Sequence, residues 1–184
     1  MQKRLNLIFD TLEQWKEFQR NWIYLENIFA SADIKKNNQK DSFDFEQINK
    51  QWIKLMKTVH AKPNVMTNCQ SGTKYADFLR YNEQLDKIQK NLEAYLESKR
   101  MQFPRFYFLS NDELLQILAN AADIKAVEKH INKCFDNIFG LLLLDTGGIP
   151  DIGGMKSGEG EEVEFAKIKI RNSGVESWMK NVEQ

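Results

Sequence analysis

The sequence predicts a mainly α-helical protein, an elongated bundle of long helices with a small β-hairpin near its C-terminal end. Three observations predict it. Apolar residues recur at spacings of three and four through most of the first 140 residues, as they do in helices with one buried face. From Tyr75 to Gln102 this recurrence holds as an a/d seam of about three heptads, on a helix about 40 Å long. After Gly140 the pattern changes to short apolar runs separated by glycine-rich sequence, which suits strands and their connections.

Each element follows from its own residues. The first 30 residues form one helix, with Leu5, Ile8, Leu12, Trp15, Trp22, Leu25 and Phe29 along one face. The dense run Trp22, Ile23, Tyr24, Leu25 predicts burial on more than one side there. KKNNQKDS (35–42) is polar and is read as a loop. A second helix carries Phe45, Ile48, Trp52, Leu55, Met56 and Val59, and Pro63 ends it near Ala61 because proline disfavours helical geometry in the residue before it. The third, about Tyr75 to Gln102, places Phe78, Tyr81, Leu85, Ile88, Leu92 and Tyr95 in its seam.

KRMQFPRFYFLSNDELLQIL (99–118) then breaks and restarts the helical pattern. Pro104 interrupts. Ser110 and Glu113 have capping-box spacing, and Leu109 and Leu114 are placed for a hydrophobic staple, so a fourth helix runs from Ser110 to about Ala122. A fifth, about Ile124 to Phe139, buries Val127, Ile131, Cys134, Phe135 and Ile138, with Gly140 as its stop. Leu141–Leu144 and EVEFAKIKI (162–170) read as two strands joined by a long, mobile, glycine-rich connection. A bulge at Ala166 and Lys167 restores the period of the second strand. Ser173 and Glu176 form a second capping box opening a helix with Val175, Trp178, Met179 and Val182. That helix meets no stop signal before Gln184, and the chain end is expected to be a truncation.

Composition narrows the function classes. Of 184 residues, 42% are apolar and 28% charged, and 26 Lys plus Arg balance 26 Asp plus Glu. Such a balance gives no net pull towards nucleic acid or anionic membrane, so neither is expected as a partner. No apolar run approaches the roughly 20 residues that span a bilayer, and the interrupted N-terminus is not a secretory signal. Cys69 and Cys134 lie in no CxxC pair, and two thiols suit a reducing compartment. A soluble intracellular protein is expected.

Catalytic chemistry finds little support. In TGGIPDIGGMKSGEGEE, Gly148 and Gly153 have the first spacing of a phosphate-binding loop. That loop needs its lysine directly after the second glycine, whereas Gly154 and Met155 separate Gly153 from Lys156 and Ser157. The segment is read as a flexible connection, not an ATP site. His130 and Cys134 are one helical turn apart, but no third metal ligand accompanies them. No neighbour marks Cys134 as a nucleophile. Trp15, Trp22, Trp52 and Trp178 sit at core spacings, and Glu159 to Glu164 is read as a solvated turn. The residues support a helical interaction or mechanical module, with no catalytic, cofactor-binding or metal residues.

The order of WIYLENIFASADI (22–34), LDKIQKNLEAYLESKRMQFPRFYFLSNDELLQIL (85–118), HINKCFDNI (130–138), EGEEVEF (159–165) and VESWMKNVE (175–183) closely resembles the linker region of dynein heavy chains, ahead of the first AAA+ module. FPRFYFLSNDELL is the most specific part, and SND resembles the axonemal type. Asn27 stands where the family usually has proline, and 145–158 is richer in glycine than usual. The resemblance implies one linker fragment over 1–184: a helical part to about 140, a hairpin over about 141–171 and a further helix from 173. It implies a mechanical lever that couples ATP-driven changes in the AAA+ ring to minus-end-directed movement. ATP and Mg would be held in that ring, not in this fragment, which is therefore expected to be no enzyme by itself. Implied partners are the ring of the same chain and other dynein subunits, with the microtubule engaged only indirectly, in the cytoskeleton of a ciliary or flagellar axoneme. A free-standing helical scaffold is the alternative.

Within that reading, Arg100, Phe103, Pro104, Arg105, Phe106, Phe108, Ser110 and Glu113 form a candidate mechanical joint or ring contact. A hinge at 102–110 is expected if the break between helices bends. A locked joint is expected if Phe103, Phe106 and Phe108 bury themselves together. Arg100 and Arg105 flank the aromatics and are candidates to pair with carboxylates on the ring or on neighbouring helices.

Overall fold

The computed structural model describes residues 2–120, 123–144, 151–165 and 175–183. It is mainly helical with a small antiparallel sheet. The chain divides into two compact units, Met1–Leu92 and Glu93–Gln184. Their division falls inside one helix.

The first unit holds α1 (Gln2–Ile28), α2 (Ala32–Asn37), α3 (Gln39–Ala61), α4 (Val65–Cys69) and the larger part of α5 (Gly72–Gln102). Its core is aromatic. Trp15 and Phe18 of α1 meet Trp52 of α3 at 6.1 and 5.0 Å between ring centroids, and Phe78 of α5 at 5.1 and 5.6 Å. Further along α1, Trp22 joins Trp52, and its indole N–H donates to Asn49 Oδ1 at 3.1 Å. Tilted and edge-on ring pairs of this kind add about 0.5–1.5 kcal/mol beyond burial.

Several expectations are corrected here. The buried side of α1 runs through Ile8, Thr11, Phe18 and Leu25, with Phe29 buried just past its end, while Leu5 and Leu12 are exposed. Thr11 thus takes the place given to Leu12 between Ile8 and Trp15, admitted because its hydroxyl donates to the Leu7 carbonyl at 2.6 Å, and Phe18 fills the gap that the expected series left between Trp15 and Trp22. Ile23 and Tyr24 are also exposed, so the dense run there faces the core on one side only. KKNNQKDS is not a loop: it is the end of α2 and the start of α3, interrupted at Asn38. Ile34, buried beneath α2, anchors that polar turn. Met56 of α3 is exposed, and the α5 seam is completed by buried Leu96 where Tyr95 was expected. The short α4 carries no periodic signal; Asn64 caps it by accepting from Thr67 N–H at 3.0 Å.

The second unit holds the end of α5, a 3-10 helix (Pro104–Phe108), α6 (Asn111–Ala119), α7 (Ile124–Cys134), strands β1 (Ile138–Leu144), β2 (Asp151–Ser157) and β3 (Glu162–Glu164), and α8 (Val175–Glu183). The strands lie in the order β1-β2-β3, all antiparallel. Here too the expectation changes. The fifth helix stops at Cys134, four residues before Ile138, and Ile138 to Gly140 belong to β1 instead of to a helix end. Part of the glycine-rich connection is itself the central strand, so the hairpin is a three-stranded meander.

Gly153 and Gly154 permit this arrangement. A Cβ on Gly154 would lie 2.4 Å from the Val163 carbonyl oxygen of β3. The pairing register skips Gly153 between Leu142↔Gly154 and Leu143↔Ile152, and its carbonyl accepts from Phe165 N–H at 2.8 Å. The bulge expected at Ala166 and Lys167 lies outside the described residues, as does Ser173, and the fourth helix, expected to reach about Ala122, ends at Ala119 because Asn120 leaves helical geometry as its C-cap, φ −119° and ψ 33°. Glu128 of α7 ties helix to sheet by accepting from Leu141 N–H at 2.7 Å. Among the described residues no helix is long and apolar enough to cross a membrane.

Candidate functional site

The joint begins where Pro104 forces Phe103 out of the helix. Phe103 takes an extended conformation, φ −137° and ψ 96°, as the residue before proline is pushed to do. Pro104 then opens the 3-10 helix, where its missing N–H costs nothing. Backbone bonding continues at intervals of three: Phe106 N–H donates to the Phe103 carbonyl at 3.0 Å, and Leu109 N–H to the Phe106 carbonyl at 3.1 Å.

This period decides which side chains are buried. In a 3-10 helix residues three apart eclipse one another, so Phe103, Phe106 and Leu109 share the inner side and are 0%, 0% and 3% exposed. Phe103 and Phe106 meet edge to face at 4.9 Å, and Phe103 also reaches Phe135 at 6.2 Å. Phe108 is out of this phase and is 69% exposed. The expected trio of locking phenylalanines is therefore a pair, with Leu109 as third member.

Polar bonds brace the same turn. Arg100, whose side chain is only 13% exposed, donates to the Leu109 carbonyl at 3.2 Å and to Asn111 Oδ1 at 2.7 Å. It thereby joins the last turn of α5 to the first of α6. Tyr107 donates to Glu97, and that hydrogen bond is the main cause raising the phenol pKa above its usual range. Ser110 and Glu113 form the expected capping box: Glu113 N–H donates to Ser110 Oγ at 3.3 Å, and Ser110 N–H to Glu113 Oε2 at 3.0 Å.

Two contacts tie the joint to later elements. Lys133 of α7 pairs with Glu113. That ammonium first, then the Ser110 amide and hydroxyl, hold the Glu113 carboxyl at a pKa of about 2. Arg105 donates through Nε to Glu183 Oε1 of α8 at 2.9 Å and through Nη1 to the Cys134 carbonyl at 3.0 Å. Its guanidinium lies 4.7 Å from the centre of the Phe135 ring. The carbonyl at Cys134 is one a helix end leaves without an internal partner, so Arg105 caps α7 while holding α8. Burial pushes the Cys134 thiol to about 11, with Arg105 opposing and Glu113 adding.

All eight sequence-derived site residues thus lie in one turn and its neighbours. Sequence reasoning missed Asn111, Glu97, Lys133, Phe135 and Glu183. The first two lie within a dozen residues of Arg100, but Glu183 is 78 residues from Arg105, and no local pattern links such a pair. The other candidates fall elsewhere. Gly153, Gly154, Lys156 and Ser157 are in β2, which leads into β3, and Lys156 pairs with Glu162 at 3.1 Å. Gly148 is outside the described residues. His130 is half-buried. Among the described residues no three His, Cys, Asp or Glu side chains are grouped to hold a metal. The arrangement packs, caps and ion-pairs successive backbone segments against one another at a helix break.

Comparison with known proteins gives one family throughout. The family model "Dynein heavy chain, N-terminal region 2" matches residues 1–184. The chain is 43% identical to dynein axonemal heavy chain 6 of Homo sapiens over its whole length, covering 5% of that protein. Dynein axonemal heavy chain 1 of Homo sapiens is 42% identical over 100% of the chain and 4% of its own length. The Chlamydomonas reinhardtii dynein-1-beta heavy chain of the flagellar inner arm I1 complex is 39% identical over 99% of the chain and 4% of its own. The chain spans about a twentieth of the first two relatives.

Proposed function

Since this chain belongs to the family of dynein heavy chain N-terminal regions, we propose that it is a lever segment, the linker, of an axonemal dynein heavy chain. It transmits ATP-driven changes in the AAA+ ring into minus-end-directed movement along microtubules. Its place is the ciliary or flagellar axoneme, in keeping with the relatives' names. Hydrolysis, and the ATP and Mg it needs, belong to the ring of the parent chain. The fragment itself contributes stiffness.

The braced joint carries this reading. A lever must hold angles under load, and a turn filled by two fully buried phenylalanines resists deformation because close-packed interiors compress little. Arg100 closes the same turn from the outside, and Arg105 couples it to α7 and α8. We read the joint as locked. Phe108, apolar and directed outward, is assigned the contact with the ring.

In the full-length motor, Arg100→Ala or Arg105→Ala lowers microtubule gliding velocity while nucleotide affinity stays at the parental value. Phe108→Ala lowers velocity without changing the stability of the segment. A parallel loss of nucleotide affinity in the arginine variants contradicts the lever role. A change in the angle between residues 75–102 and 110–119 across two nucleotide states contradicts the locked joint.

A further inference from the structure

In the first unit, α1 carries a second apolar stripe. Leu5, Phe9, Leu12 and Ile23 are 49%, 64%, 40% and 45% exposed. With Lys16 and Gln19 they follow the series 5-9-12-16-19-23, the alternation of four and three that lines up on one helix face. The buried side of α1 has the same alternation and is filled from α3 and α5; this one is open. Its C-terminal part, Leu12 to Ile23, forms one wall of a groove of about 620 Å³, and Val59, Pro63 and Val65, where α3 ends and α4 begins, form the other.

The charged side chains lining the groove are Lys16 and Arg20, with no carboxylate among them. Lys16 shares Glu13 at 2.8 Å, whereas Arg20 makes no ion pair among the described residues. A straight stripe from Leu5 to Ile23 is about 27 Å long at 1.5 Å per residue, a length that five turns of another helix would cover with knobs-into-holes spacing. An extended peptide, with its period of two, does not match that spacing.

We propose that this groove docks an amphipathic helix of a partner protein, whose apolar seam is flanked by Asp or Glu side chains that meet Arg20 and Lys16. The groove and the joint share no residue, so the failure of this proposal leaves the lever reading untouched.

The test uses the 184-residue chain and a labelled synthetic helix with leucine at a and d and glutamate at e and g. Anisotropy of the label and emission of Trp15, which lines the groove, report binding, with Trp15→Phe as the control. The glutamate peptide is expected to bind at least about tenfold more tightly than its lysine counterpart, and Arg20→Glu to reverse that order. Leu12→Ser weakens both, and being exposed it leaves the fold intact. Equal binding of the two peptides overturns the proposal, as does binding indifferent to Arg20→Glu and Leu12→Ser. Self-association of the chain that Leu12→Ser abolishes, without peptide binding, also overturns it and gives the groove to a second copy.

Discussion

At the scale of single residues, Glu113 is the most connected carboxylate of the joint, and its titration has a definite sign. Its folded pKa of about 2 lies below the ordinary glutamate value of 4.5. A depressed carboxyl stabilises the fold above its unfolded pKa and loses that contribution as pH falls through the folded one. The Tm gap between the parent chain and Glu113→Gln is therefore expected to be fully open at neutral pH and to close between about pH 4.5 and 2. A gap that ignores pH over that window counts against the Lys133–Glu113–Ser110 arrangement. The two phenylalanine classes separate as sharply. Phe103→Ala should cost about 3–5 kcal/mol in urea unfolding, a buried aromatic lost with its cavity, while Phe108→Ala should stay within about 0.5 kcal/mol. Ser110 and Glu113 were legible because a capping box is written in four consecutive residues. Phe108 was misread because a list of aromatics has no phase; counting in threes from Phe103 through Phe106 to Leu109 would have excluded it.

At the scale of elements, local rules succeeded where one element is held by its own residues and failed where a neighbour decides. The helices α1, α3 and α5 follow their apolar spacing. On α1, Leu12 was chosen over Thr11 because 8-12-15 is as regular as 8-11-15 and leucine is the more apolar, while Phe18 was left in a seven-residue gap between Trp15 and Trp22 that the rings of Trp52 and Phe78 show to be filled. The end of α7 and the central strand are tertiary outcomes. Arg105 caps the helix at Cys134, releasing Phe135 to Asn137 as the connection into β1, and Gly153 and Gly154 become strand because β1 and β3 flank them. Gly154 is the test. In Gly154→Ala the new Cβ meets the Val163 backbone oxygen, which cannot yield without opening β2 from β3. A cost of about 1–3 kcal/mol is expected, with faster amide exchange at Phe165. Gly153→Ala should cost less, because its nearest neighbour is the Leu144 side chain, which is exposed and free to turn.

At the scale of the whole molecule, the family was legible from wording that no periodicity argument could supply. FPRFYFLSNDELL reads as ordinary helix chemistry until its order is compared with other chains. The balanced charge and the lack of a catalytic constellation pointed towards a mechanical or binding role but did not choose between them. In the parent motor the two roles separate experimentally. Joint substitutions should slow gliding at unchanged nucleotide affinity, and substitutions at Arg20 and Leu12 should leave single-motor velocity at its parental value.

The buried thiols have a practical consequence. Cys69 and Cys134 are both free and buried, and burial raises both pKa values. Since thiolate is the form that reacts with maleimides, both native sulfurs are slow targets at neutral pH. A pair of dyes attached to new cysteines at the exposed positions Ser98 and Asp112 would report the angle of the turn by energy transfer, with no need to remove either native residue.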